Sequence, residues 1–119
     1  MATIKEGLDK LMTADGAMAA AVVDSTSGMV LGKIGSGIDL DVACAGNTEV
    51  MRAKIKTMRA LGLKDEIEDI LITLGKHYHI IRPIAAKPGL FIYYALDKAK
   101  SNLAMARMIV KGVEQELQI

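Results

Sequence analysis

The chain has 119 residues, a length that accommodates one domain spanning residues 1–119. Fifteen basic against fourteen acidic side chains leave a net charge of +1, and aromatic residues are few, so the basic excess and stacking platforms of a nucleic-acid binder are missing. Apolar residues make up 51% of the chain and are nearly all aliphatic, which is more greasy surface than a small domain ordinarily hides and points to a second chain covering part of it.

Thr3 to Met12 reads as a short helix. Thr3 and Glu6 have capping-box spacing, and Ile4, Leu8, Leu11 and Met12 share a face. Ala17 to Val23 is apolar on both sides and predicts a buried strand. Asp24-Ser25-Thr26-Ser27-Gly28 is a turn by composition, and Met29 to Ile34 returns as the second strand of a hairpin. Asp39 is placed to cap a long helix running to Leu61, with Gly62 ending it. Glu66 to Leu74 and His77 to Ile84 predict two further strands. Pro83 cannot donate a ladder hydrogen bond and belongs at a strand end or on an edge. Lys87-Pro88-Gly89 is a tight turn, and Leu90 to Leu96, apolar on both faces, predicts a central strand. Ser101 or Asp97 is expected to cap the last helix, whose Leu103, Ala106, Val110, Val113 and Leu117 form one buried stripe. The expected fold class is α+β, in the order α-β-β-α-β-β-β-α, and the closely linked hairpins imply an antiparallel sheet.

The long middle helix differs from an ordinary surface helix. On a helical wheel Val42, Ala43, Gly46, Val50, Ala53, Ala60 and Leu61 form one broad face. Cys44, Met51, Ile55 and Met58 form a second stripe. One apolar face covers the helix's own sheet, and the other needs another cover. A copy of the same helix is the economical cover, because a two-fold dimer uses one patch twice. The methionine-bearing stripe is the expected interface, since methionine adapts to such contacts.

The ordered stretches Gly16-Ala17-Met18-Ala19-Ala20-Ala21-Val22-Val23-Asp24 into Gly28-Met29-Val30-Leu31, Ile70-Leu71-Ile72-Thr73, His79-Ile80-Ile81-Arg82-Pro83-Ile84, Leu90-Phe91-Ile92, Ala95-Leu96-Asp97-Lys98 and Asn102-Leu103-Ala104-Met105-Ala106-Arg107 resemble the roadblock/dynein light chain family across nearly the whole chain, as a stand-alone prokaryotic type. The resemblance implies a five-stranded antiparallel sheet between helices, and a homodimer in which the long helices pair and the third strands join edge to edge. It places Cys44, Met51, Ile55, Met58, Ile67, Ile70 and Ile72 at the interface. It also implies binding and regulation of a Ras-like small GTPase, or alternatively an adaptor role in a motor or signalling assembly. Glu66, Glu68 and Asp69 would restrict wrong strand pairings by charge.

Arg52, Lys56 and Arg59 form a basic strip suited to an acidic patch on such a partner. His77 and His79 share a strand face, but no third ligand accompanies them, and the expectation is a structural role with no metal. There is no GxxxxGK[ST] loop, and turn chemistry accounts for Asp24, Ser25 and Ser27, so neither a catalytic site nor a cofactor is expected. Cys44 is the only cysteine, the longest apolar run is too short to span a bilayer, and the N-terminal residues are charged where a signal peptide is apolar. A cytoplasmic location without membrane insertion is the expectation.

Overall fold

The computed structural model describes residues 2–119. Its elements are α1 (Ile4–Leu11), β1 (Ala17–Asp24), β2 (Met29–Gly35), α2 (Leu40–Ala60), β3 (Ile70–Thr73), β4 (His77–Pro83), β5 (Leu90–Asp97) and α3 (Leu103–Glu116). The five strands form one antiparallel sheet in the order β2-β1-β5-β4-β3. β5 is central, and Phe91 to Leu96 are all withdrawn from solvent, as its two-sided apolar sequence requires. Pro83 closes β4, where its missing N–H costs no ladder bond.

Local chemistry starts the helices. The Thr3 hydroxyl accepts from the Glu6 N–H at 3.2 Å and the Glu6 carboxylate accepts from the Thr3 N–H at 3.0 Å, completing the reciprocal cap. Asp39 caps α2 by accepting from the Val42 N–H at 3.2 Å. α3 is capped by Asn102, which accepts from the Met105 N–H at 3.1 Å, and not by Ser101 or Asp97. Asp97 is engaged one turn earlier, accepting from the Ala99 N–H at 3.0 Å. After Ala60 the chain turns through Gly62 at φ +69°, a left-handed conformation that a glycine adopts without strain.

β3 is shorter than its sequence suggests, four residues against an expected nine. Residues 62–69 have no regular structure. Asp69 takes two hydrogen bonds from Arg107 of α3, at 2.7 and 3.1 Å, which fixes the chain just ahead of the strand at a helix and not along the neighbouring strand.

The sheet separates two cores. On one face α1 and α3 pack Leu8, Leu11, Val110 and Val113 against Val22, Ile80, Ile92, Tyr94 and Leu96. The Tyr94 hydroxyl donates to the Leu11 carbonyl at 2.6 Å, which satisfies a buried polar group. On the other face α2 packs against Ala19, Ala21, Val23, Ile81, Phe91, Tyr93 and Ala95.

Candidate functional site

The inner face of α2 consists of Leu40, Cys44, Thr48 and Met51. Cys44 is 0% exposed and Met51 6%. Two of the four α2 residues expected at an interface are therefore core residues, while Ile55 is exposed and Met58 half-buried. Cys44 and Met51 lie in the core of their own chain and have no surface left for a partner. The cause is volume: the sheet beneath offers Ala19, Ala21 and Ala95, so the helix must supply the bulk to reach packing density. The outward stripe is the broad face of small and β-branched residues. Val42 is 68% exposed, Leu61 66%, and Gly46, Val50, Ala53 and Ala60 lie open between them. A β-carbon on Gly46 would meet nothing within 4 Å, so no contact inside this chain calls for a glycine there.

The flanks of α2 differ. On one side Arg52 donates to the carbonyls of Ser25 and Thr26, at 2.6 and 3.1 Å, and Asp41 meets Lys33 at 3.4 Å. That flank is tied to the β1–β2 hairpin. Arg52 is thus a clamp on a turn, and of the expected basic strip only Lys56 and Arg59 form no ion pair among the described residues. The opposite flank looks toward β4 and β3.

β3 is an edge strand. Its pairing sets Ile70 beside Ile81 and Ile72 beside His79, on the face that α2 occupies, with Leu71 on the other face. Ile70 and Ile72 are half-buried. Ile67 packs on the α2-side core from the irregular segment ahead of the strand. Ile55 and Met58, the rest of the expected interface stripe, line an open cleft of about 530 Å³. The cleft lies between the C-terminal half of α2, Ile67 and the end of β4, with Arg82 and Glu114 beside it. That ion pair went unread in the sequence. Its signal was a single arginine inside an apolar strand and a glutamate beside the buried stripe of α3.

His77 and His79 lie together on the half-covered sheet face. His79 Nε2 is 3.4 Å from His77 Nδ1, and His79 Nδ1 is 3.2 Å from the Tyr93 hydroxyl. Burial, and then the neighbouring His77, lower the pKa of His79. Burial pushes Tyr93 up to about 12, so its hydroxyl stays protonated and available to the imidazole. Burial likewise pushes the Cys44 thiol up to about 11, which leaves it an inert core group. No group of three or more His, Cys, Asp or Glu able to hold a metal occurs among the described residues. Asp24 accepts from the Thr26 N–H and hydroxyl, at 2.9 and 2.6 Å, and Ser25 donates to the Gly89 carbonyl at 2.6 Å. Both are turn fasteners. No helix of the described chain is long and apolar enough to cross a membrane.

The architecture, an antiparallel five-stranded sheet covered by helices on both faces, is the roadblock/LC7 fold. A roadblock/LC7 domain from Streptomyces avermitilis superposes with a TM-score of 0.81 at 11% identity, over 96% of this chain and 93% of that one. MglB from Myxococcus xanthus gives 0.82 at 16% identity, covering 95% and 89% of the two chains. The gliding protein MglB from Thermus thermophilus gives 0.81 at 14%, covering 94% and 83%. At these identities the likeness is one of fold. No family model and no curated protein sequence matches the chain.

Proposed function

We propose that this chain is a cytoplasmic, non-enzymatic homodimeric module that binds and regulates a Ras-like small GTPase. The observation that carries the reading is the outward stripe of α2. A helix that already fills its own sheet with Leu40, Cys44 and Met51 still exposes Val42, Gly46, Val50, Ala53 and Leu61 along its back. Small residues in a row let a second backbone approach closely, and a two-fold axis supplies an identical row. The β3 edge offers unpaired backbone groups on the same molecule. The resemblance of the sequence to the roadblock family supplies the partner class. Lys56 and Arg59 provide free positive charge beside the stripe for an acidic surface. Regulation follows if the GTP- and GDP-bound partner have different affinities for the module, because only a differential affinity shifts a conformational equilibrium.

Calorimetry against a Ras-like GTPase of the same cell, loaded with GDP or a non-hydrolysable GTP analogue, tests the reading. Binding in one state over the other is the expected outcome. No binding in either state removes it. A second reading, an adaptor that joins larger proteins without sensing nucleotide, is favoured by α3. Its outer face exposes Met105 and Met108, the latter 68% exposed, on the opposite side of the sheet from α2. Equal binding to both nucleotide states supports that reading.

A further inference from the structure

We propose that the open cleft at the end of β4 is a binding site for a small amphiphilic amine, its ammonium held at Glu114 and its aliphatic body laid against Ile55, Met58 and Ile84. The site is separate from the GTPase reading and does not depend on it.

The cleft has a structural cause. Ile70 pairs with Ile81, and β4 then runs on through Arg82 and Pro83 with no strand beside it. The Leu74 N–H donates to the His77 carbonyl at 2.9 Å, so odd-numbered residues of β4 turn their backbone groups toward β3. Pro83 has this parity and no N–H, so it offers a longer strand no donor. Asp69, held by Arg107 at 2.7 and 3.1 Å, steers the incoming segment onto α3. The space left between them, about 530 Å³, falls within the ~300–1,000 Å³ of small-ligand sites.

Met51, Ile55 and Met58 of α2 line the cleft together with Ile67, Ile84 and Leu90. This is an apolar wall, and its methionines adapt to an aliphatic body. The polar end is Glu114, only 6% exposed. Arg82 Nε and Nη2 both reach its Oε1, and Oε2 accepts no hydrogen bond among the described residues. A nearly buried carboxylate oxygen without a donor is costly, and a ligand N–H entering through the cleft supplies one.

Charge selects the head group. Asp65, Glu66, Glu68 and Glu114 line the cleft against Arg59 and Arg82. Arg82 is neutralised by Glu114, which leaves the three other carboxylates against Arg59. A carboxylate or phosphate head is repelled there. An ammonium is attracted, and it is a pure donor facing an oxygen that can only accept.

Two-dimensional NMR of the backbone amides of the isotope-labelled full chain, titrated with n-hexylamine at neutral pH, tests the assignment. n-Hexanol and n-hexanoate are probes with the same body and a different head. Hexylamine is expected to shift the amides of Met58, Ile67, Ile84 and Glu114 saturably, hexanol to bind about tenfold more weakly and hexanoate not at all. Glu114→Gln should weaken hexylamine about tenfold. Ile55→Lys sets a fixed ammonium at an exposed position of the cleft and should do the same, and it carries the test where loss of Arg82's partner unfolds the Glu114→Gln protein. Hexanoate binding as tightly as hexylamine, shifts scattered over the surface without saturation, or a folded Ile55→Lys protein of unchanged affinity each overturns the site. Binding seen only in a monomeric Ala53→Asp protein gives the cleft to a second copy and overturns it as well. A capped leucine-lysine-leucine peptide that binds about tenfold tighter than hexylamine overturns the small-molecule occupant in favour of a partner chain.

Discussion

Arg82 directs two nitrogens, Nε and Nη2, at a single oxygen of Glu114, both at 3.1 Å, and both side chains are nearly withdrawn from solvent. The pair bridges β4 and α3 where β3 has ended, so it takes over part of the closing role that a longer edge strand would have had. Breaking it from one side leaves a buried charge alone. Glu114→Ala should cost about 3–5 kcal/mol in urea-induced unfolding, and the joint replacement by methionine and leucine should cost far less. Single and double variants of equal stability would show that the pair is solvated and inconsequential.

The inward placement of Met51 and the outward placement of Ala53 make opposite predictions for neighbouring positions. Met51→Asp places a charge in the core against Phe91 and Tyr93 and should abolish folding, read as loss of the circular-dichroism signal. Ala53→Asp lies on the outward stripe and should leave the fold intact while producing monomer in sedimentation. A folded, still dimeric Ala53→Asp protein would exclude this stripe from the interface.

Gly46 and Gly35 separate packing from backbone requirements. Nothing within 4 Å obstructs a methyl at Gly46, so Gly46→Ala should stabilise the helix by about 1 kcal/mol in dilute, monomeric protein. It should also weaken self-association by holding the facing helix away. At Gly35 the backbone is left-handed, φ +95°, and a β-carbon would collide with the Met18 carbonyl and the Ala19 Cα. Gly35→Ala should lower stability by roughly 2 kcal/mol or more, measurable as a drop in the urea midpoint. An alanine tolerated there would mean that the β2–α2 joint relaxes freely.

His79 sets a pH dependence. Its pKa is lowered in the folded chain, so over the interval between the folded and the ordinary value the unfolded chain binds more protons. The contribution of neutral His79 is complete above the ordinary histidine range near pH 6.5 and is lost as pH falls through it. Wild-type stability should therefore decline as pH falls through the ordinary histidine range, and His79→Gln should flatten that decline. Identical slopes for the two proteins would remove His79 as the cause.

Much of the fold was legible locally. The Thr3–Glu6 box, the Asp39 cap, the stop at Gly62 and the stripe from Leu103 to Leu117 are short-range features whose chemistry acts over one or two helical turns. Positions that depend on remote partners were misjudged. Asp69 looked like part of a strand until Arg107, 38 residues on, drew it toward α3. Ser101 and Asp97 have capping chemistry, but Asp97 is spent on the Ala99 N–H.

The sequence alone determined that α2 has two apolar stripes, because helical periodicity is a property of residue spacing. It determined equally that β5 is buried on both faces. Only the tertiary structure decided which stripe faces inward. That choice turns on the volume left above Ala19, Ala21 and Ala95, three alanines contributed by strands far from α2 in the chain, and no spacing within the helix encodes it.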